Sequence, residues 1–228
     1  MFAAKSYEKL CVEDSNISFG WIVECLVKNS NSFKKIKGDS KILKFDFQDI
    51  SDGKGFISKV YKSTAYFDGD DKKVFQFITK IPGLECLTEL FESETDKESI
   101  NKCFDASFVS ILHDQECTFY GQIMEEIGNL KAPKCYGMQD LVPKKQDGCL
   151  IMEYLSPNAS NLPFYESFNV YQIKSALSEL MKFQVFSLTN GKHWTTKFKN
   201  HFTLESFNSI YKLVEINYII LNEFVLKK

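Results

Sequence analysis

Residues 41–81 alternate apolar with polar side chains, and glycine-containing turns interrupt the alternation twice. At the start, Leu43, Phe45 and Phe47 alternate with charged or polar neighbours, which is the pattern of a strand with one face in water. Tight turns between such segments join neighbouring strands in antiparallel order. The sequence therefore predicts an antiparallel meander, with strands at about 41–50, 56–67 and 73–81.

Helical and strand patterns surround this meander. Apolar residues recur at helical spacing in 17–28, where Ser15 and Asn16 are candidate N-caps, and again in 99–127. An almost unbroken apolar run at 148–155 suits an interior strand. The remaining segments are a predicted strand at 134–138, predicted helices at 169–188 and 204–226, and a polar connection at 28–40. The predicted fold class is α+β, with a five-stranded antiparallel sheet and the 99–127 helix against it.

Composition excludes several classes of protein. The 228 residues include 28 basic and 30 acidic side chains, and a net charge of -2 favours neither nucleic acid nor an anionic membrane as a partner. The apolar tail at 213–226 contains Glu215 and Glu223 and is too short and polar to span a bilayer. None of the seven cysteines forms Cys-x-x-Cys, which favours reduced thiols in a cytoplasmic protein.

The turn between the first two predicted strands carries a glycine motif. Gly53, Gly55, Ser58 and Val60 fit the pattern Gly-x-Gly-x-x-Ser-x-Val. Two glycines let the backbone approach phosphate groups closely, and a valine on the following strand can lie against a nucleotide base. The position between antiparallel strands suits a kinase-type loop and not a Walker or Rossmann loop. The alternative is an ordinary hairpin loop without a ligand, because short glycine motifs recur by chance.

Lys80 lies at the end of the third predicted strand, on the same face as two apolar neighbours. In a kinase-type lobe, a lysine on this strand contacts the nucleotide phosphates and a glutamate from the next helix holds it in place. Glu116, beside the apolar stripe of the 99–127 helix, is the candidate partner. The alternatives are a solvent-exposed Lys80, and Glu125 or Glu126 as the competing carboxylate.

Four residues at the end of the predicted interior strand form a candidate hinge. They are Met152, Glu153, Tyr154 and Leu155. Backbone groups at such a crossing can hydrogen-bond the edge of an adenine, while apolar side chains enclose the ring. The alternative is a core strand that simply ends in a polar turn.

Three segments together resemble the choline-kinase-like (CHK) and ecdysteroid-kinase-like family, and most closely its nematode branch. They are 50–61 (ISDGKGFISKVY), 113–120 (HDQECTFY) and 151–155 (IMEYL). The resemblance covers about 17–188. It implies an aminoglycoside-phosphotransferase-type, kinase-like fold and ATP-dependent phosphorylation of a hydroxyl group on a small molecule.

The resemblance also implies roles for individual residues. Gly53, Gly55 and Ser58 would cover the phosphates of ATP, Lys80 would bind them, and Glu116 would position Lys80. The segment from Met152 to Leu155 would form the hinge, with Val60 against the base. These residues are therefore the predicted nucleotide-binding set.

The last aspartate in the sequence is Asp147. The catalytic loop of the family resembles His-Gly-Asp-x-x-x-x-Asn, and a second aspartate follows it, whereas residues 148–228 contain no aspartate. In phosphoryl transfer such residues orient the hydroxyl group and bind Mg²⁺. We therefore expect neither catalytic residues nor Mg²⁺ ligands here, in a chain that ends inside the larger lobe through alternative gene structure, a truncated gene or an incompletely predicted gene.

The expected organisation is an N-terminal helical segment at 1–40, a kinase-like small lobe at 41–155 and a partial helical large lobe at 156–228. The leading hypothesis is a member of a small-molecule kinase family that is inactive on its own. A second hypothesis is a non-catalytic remnant that binds a nucleotide or another protein. A third is a poorly folding product without a biochemical role, since absent helices would leave apolar side chains uncovered.

Overall fold

The computed structural model describes residues 7–51, 57–69, 73–84, 106–159, 166–190, 193 and 195–198. These residues confirm the α+β class with a five-stranded antiparallel sheet. The strands are β1 (Ile42–Asp49), β2 (Ser58–Phe67), β3 (Val74–Pro82), β4 (Cys135–Gln139) and β5 (Cys149–Glu153). The helices are α1 (Phe19–Asn29), α2 (Asn31–Lys37), α3 (Ala106–Thr118), α4 (Met124–Ile127) and α5 (Val170–Thr189).

The sheet has the strand order β1-β2-β3-β5-β4, so β5 lies between the meander and β4. Each of these neighbouring pairs is antiparallel. Val60 of β2 is opposite Lys80 of β3, and Lys80 is opposite Leu150 of β5. Because side chains alternate between the two faces of a strand, this register places these three residues on one face.

The opposite face of the sheet packs against the N-terminal helices. Tyr61, Phe77 and Ile151 on this face are fully or almost fully buried, in one cluster with Ile22 and Leu26 of α1. The helix is amphipathic, and its apolar stripe supplies these contacts. The main core of the described residues therefore lies between α1, α2 and one face of the sheet.

The start of α1 differs from the sequence-based expectation. Ser18 is the N-cap, since its hydroxyl oxygen accepts a hydrogen bond of 3.2 Å from the N–H of Trp21. The two predicted caps form other hydrogen bonds. The hydroxyl group of Ser15 donates to the carbonyl of Val12 at 2.6 Å, and the N–H of Asn16 donates to the carboxylate of Asp147. The prediction was wrong because several capping residue types occur in succession.

The polar connection predicted at 28–40 contains the helix α2. Ser30 caps this helix by accepting a hydrogen bond of 3.1 Å from the N–H of Phe33. The Phe33 ring is fully buried, with its centroid 5.8 Å from that of Phe67 and 5.1 Å from that of Phe75. The sequence signal is weak because seven residues give too few turns to display a helical period.

The predicted apolar face of β1 is only partly correct. The pairing of β1 with β2 shifts register between Ile42 and Lys44. As a result Ile42 is buried, whereas Leu43 is 64% exposed. Phe45 and Phe47 do pack against the core. One irregular residue moves the side chains before it to the other face, which alternation alone cannot reveal.

The long helix predicted at 99–127 is described from residue 106 onward. It consists of α3, a π-helical segment at Phe119–Ile123, and α4. The helix predicted at 204–226 lies outside the described residues. Within the described part of the chain, no helix is long and apolar enough to cross a membrane.

Candidate functional site

The sheet face that carries Lys80 packs against α3. Cys117 of α3 is buried together with Leu150 and Met152, which lie on neighbouring positions of this face. Val60 extends the same face on β2 and is half-buried. The helix therefore covers the part of the face formed by β5, while Val60 of β2 and Lys80 of β3 beside it are partly exposed.

Lys80 and Glu116 meet at the edge of the covered part. The Nζ atom of Lys80 lies 2.7 Å from both carboxylate oxygens of Glu116. The side chains are 26% and 30% exposed, so the ion pair is neither fully buried nor free in solvent. Of the competing carboxylates, Glu126 forms an ion pair with Lys197, and Glu125 is exposed on α4. The fold thus brings Glu116, rather than these two residues, to Lys80.

The position of Glu116 depends on how α3 is attached to the sheet. One turn earlier, the imidazole Nε2 of His113 donates to the carbonyl of Gln139 at 2.8 Å and lies 3.4 Å from the Sγ atom of Cys117. The hydroxyl group of Ser110 donates to the carbonyl of Leu141 at 2.8 Å. These bonds tie two successive turns of α3 to β4 and its loop, and so fix the direction of the Glu116 side chain.

Burial of His113 makes the attachment of α3 sensitive to pH. Burial lowers the pKa of His113 from its ordinary value of 6.5, although the carbonyl of Gln139 opposes the shift. The unfolded chain therefore binds the proton more readily than the folded one. Stability contributed by the neutral imidazole is present above about pH 6.5 and is lost as pH falls below it toward the lower pKa of the folded state.

We expect urea unfolding to show this loss. Between pH 7.5 and 5.5, the free energy of unfolding of the wild type should fall more than that of His113→Gln, because glutamine has no proton to gain. His193→Gln is the control, since His193 is exposed. A His113→Gln protein with the same pH dependence as the wild type would contradict the prediction.

Of the three residues predicted to cover the phosphates, the structure describes Ser58. Gly53 and Gly55 lie outside the described residues. The hydroxyl group of Ser58 donates to the carbonyl of Ile57 at 2.6 Å. The N–H of Val60 donates to the hydroxyl oxygen of Ser51 at 2.8 Å. Ser58 and Val60 lie on the same face of β2, and Val60 is the residue directly opposite Lys80.

The first half of the predicted hinge belongs to the sheet. Met152 is 7% exposed and packs in the small core beneath α3. Glu153 ends β5 and is tied to Lys134: its N–H donates to the carbonyl of Lys134 at 2.8 Å, and its carboxylate accepts from the N–H of Lys134 at 3.2 Å. These two residues hold the end of β5 against the chain that enters β4.

The second half of the predicted hinge leaves the sheet. The Nζ atom of Lys62 lies 5.2 Å from the centroid of the Tyr154 ring, a cation–π contact. The carbonyl of Leu155 accepts hydrogen bonds from the N–H groups of Asn158 and Ala159, at 2.9 and 3.2 Å. Both acceptor positions of that carbonyl are therefore occupied by the following turn, and the Leu155 side chain is 39% exposed.

Two features of the site carried no clear sequence signal. The π-helical segment places Tyr120 against the small core beneath α3, and burial, with the negative charge of Glu116, raises the pKa of the Tyr120 phenol to about 12. Asp147 has a structural role, because its carboxylate accepts from the N–H of Asn16 at 2.8 Å and joins the N-terminal segment to the β4–β5 loop. Only the fold shows either contact, since the partners are distant in sequence or depend on one extra helical residue.

The described residues do not fit a Mg²⁺ site. They contain no group of three or more His, Cys, Asp and Glu side chains arranged to hold a metal ion. The carboxylate nearest to Lys80, that of Glu116, is engaged by the ammonium group on both oxygens. The arrangement can therefore attract an anion through Lys80, and it does not resemble a magnesium-binding centre.

Comparison with known proteins identifies the family. The model of the DUF1679 family, described as "Uncharacterized oxidoreductase dhs-27", matches residues 34–223. The chain belongs to this family. A DUF1679 relative from Caenorhabditis elegans, "Uncharacterized oxidoreductase dhs-27", is 27% identical over 214 residues. The alignment covers 92% of the present chain and 24% of the relative, so the chain spans about a quarter of the length of that protein. No solved structure matches the chain.

These names correct the functional expectation. Both DUF1679 descriptions say oxidoreductase, a class that transfers electrons or hydride, whereas the sequence-based interpretation required transfer of a phosphoryl group. The prediction of a family of ATP-dependent small-molecule kinases is therefore wrong, as is the classification as an ATP-binding transferase. The alternative of a pseudokinase-like remnant is no better supported. The comparisons do not confirm the assignment to the choline-kinase-like family.

Proposed function

We propose that Lys80 and Glu116 form the anion-binding end of a site for a nucleotide that carries a diphosphate. The observation behind the proposal is the ion pair, in which Nζ of Lys80 is 2.7 Å from each carboxylate oxygen. An ammonium group has three N–H donors, and two of them are directed at Glu116. The third is held in a defined direction and remains for a phosphate oxygen, at a smaller entropic cost than a freely rotating lysine would incur.

The neighbouring residues support a base at the other end of the site. Val60 is directly opposite Lys80 on β2, and it offers an apolar side chain at the same level of the face. Tyr154 and Lys62 lie farther along, where β5 leaves the sheet. An apolar surface beside a fixed cation matches a ligand with a flat ring and a charged tail.

The diphosphate is the chemistry shared by two groups of candidate ligands. One group is the adenine nucleotides, including ATP, and the other is the dinucleotides that oxidoreductases use. Because the DUF1679 names say oxidoreductase, the second group belongs in any binding test. The proposal concerns binding alone and assigns no phosphoryl transfer to this chain.

The arrangement also supports a kinase-like small lobe as the proposed fold of 41–155. A lysine near the end of β3 paired with a glutamate of the next described helix is a recurring feature of such lobes. In this proposal the helical segment 1–40 packs on the small lobe, and 156–228 is part of a helical large lobe. The antiparallel pairs described here differ from the parallel sheet of a Rossmann domain, so the site would bind its nucleotide in another way.

The test is equilibrium binding of ATP, ADP, NADH and NADPH to the full chain, with adenosine as the ligand that lacks phosphate. We expect at least one of the diphosphate-bearing ligands to bind more tightly than adenosine. Lys80→Met should weaken that binding by about 10-fold to 100-fold, because a hydrogen bond between charged groups is lost. Lys59→Met is the matched control, since Lys59 lies on the neighbouring strand and faces the other side of the sheet.

Two results would contradict the proposal. One is the absence of binding for all four nucleotides by a folded wild-type chain. The other is equal affinity of the wild type and Lys80→Met for the same nucleotide. Glu116→Gln adds a check on positioning: it keeps the size of the side chain, removes its charge, and should weaken binding less than Lys80→Met does.

A further inference from the structure

The helix α5 exposes an apolar stripe along most of its length. Six large apolar side chains lie on one side of the helix, with exposed fractions from 45% to 82%. They are Ile173, Leu177, Leu180, Met181, Val185 and Leu188. Exposed apolar surface that is continuous over several turns marks an interaction surface. We call these six residues the α5 stripe.

The opposite side of α5 attaches the helix to the rest of the molecule. Phe186 is 7% exposed, and the ring centroid of Phe183 lies 6.3 Å from that of Phe119. The Nζ atom of Lys182 donates to the carbonyl of Asn129 at 2.7 Å. The helix is therefore held by one side through specific contacts, and none of these three contacts involves the α5 stripe.

The chain that follows α5 returns to this part of the molecule. Asn190 ends the helix, and Lys197 forms an ion pair with Glu126 of α4. Glu126 lines a groove of about 490 Å³ between α4 and α5, and Met181 and Val185 of the α5 stripe line the same groove. The last described residues thus bring the chain beside the stripe before the segment that begins at residue 199.

The sequence of that segment complements the α5 stripe. Between residues 204 and 226, apolar side chains recur at intervals of three or four residues. They are Phe207, Ile210, Val214, Tyr218, Leu221 and Val225. A helix over this range would be about 34 Å long, against about 30 Å for the 20 residues of α5.

We propose that residues 204–226 pack as a helix along the α5 stripe, antiparallel to α5. The direction follows from the ion pair between Lys197 and Glu126, which starts the segment near the C-terminal end of α5. Two apolar stripes of matching length bury each other, and a short connection makes the contact within one molecule favourable. The occupant of the α5 stripe is therefore this chain and not a second copy.

Site-specific photocrosslinking in the full chain tests the proposal. Benzoylphenylalanine at position 177 should form adducts with peptides from 204–226, in a species that stays monomeric. Leu43 is a matched control, because it is an exposed leucine on β1 at the far edge of the sheet. We expect about tenfold more adduct with 204–226 from position 177 than from position 43, since yield follows local concentration.

A second measurement does not depend on the crosslinker. Leu177→Asp should lower the melting temperature of the full chain by about 4–8 °C, because it would bury a carboxylate in the apolar contact between α5 and 204–226. Leu43→Asp should change it by less than about 2 °C. Adducts between two molecules, adducts only outside 204–226, or equal melting temperatures for both aspartate variants would overturn the proposal.

Discussion

Replacing Phe33 with alanine is expected to lower the free energy of unfolding by about 3–5 kcal/mol. The ring is fully buried between α2 and the sheet, where it lies against Phe67 and Phe75. Truncation removes apolar surface from the core and leaves a cavity that the surrounding rings cannot fill without moving. The loss is a large part of the stability of an ordinary domain. Chemical unfolding monitored by circular dichroism measures it.

Leu43→Ala is the matched control for Phe33→Ala. It also truncates a large apolar side chain, but Leu43 is 64% exposed on β1, and we expect a change within about 0.5 kcal/mol. The comparison discriminates between two descriptions of 28–40. A flexible polar connection would make both substitutions nearly neutral, and that outcome would show that α2 does not contribute to the core.

Gly148→Ala is expected to cost about 1–3 kcal/mol through overpacking. A Cβ atom at position 148 would lie 2.7 Å from the Nε2 atom of His113 and 2.7 Å from the Cγ atom of Pro82. Both neighbours are constrained, since the imidazole is hydrogen-bonded to Gln139 and Pro82 ends β3. The added methyl group must therefore push α3 away from the sheet or break the bond of His113.

Gly121→Ala provides the control for the glycine substitution. A Cβ atom there would lie 3.1 Å from the sulfur and terminal methyl group of Met138, which form the flexible end of that side chain. We expect the free energy of unfolding to change by no more than about 1 kcal/mol. Equal unfolding free energies for Gly148→Ala and Gly121→Ala would contradict the close packing of α3 on the sheet. If Gly148→Ala does displace α3, any nucleotide binding that depends on Glu116 should weaken with it.

A short sequence motif can indicate a type of ligand without indicating a type of reaction. The residues at Gly53, Gly55, Lys80 and Glu116 led to a kinase interpretation, and the DUF1679 descriptions name another reaction class. A lysine held by a glutamate attracts phosphate in any nucleotide, whatever reaction that nucleotide undergoes. The ion pair therefore supports the proposal of an anionic ligand and gives no information about the reaction. The relative is about four times as long as the aligned segment, so its activity need not lie in this part.

The sequence alone determined the elements whose signals are local and repeated. The period of two over 41–81 predicted β1 to β3, and the same alternation placed Lys80 on one face of β3. The helical period of 169–188 predicted α5 nearly to its ends. These features repeat over several residues, and the repetition reports directly on which side of the element is apolar.

Only the tertiary structure decided features that depend on contacts between distant residues. Lys80 meets Glu116 across 36 positions of sequence, and Asn16 meets Asp147 across 131. The short helix α2 becomes recognisable only when Phe33 is seen in the core. Neither spacing nor composition encodes such contacts, because they arise when packing of whole helices and strands brings particular side chains together. The sequence thus supplied the candidates for the proposed anion-binding pair, and the fold selected which carboxylate joins Lys80.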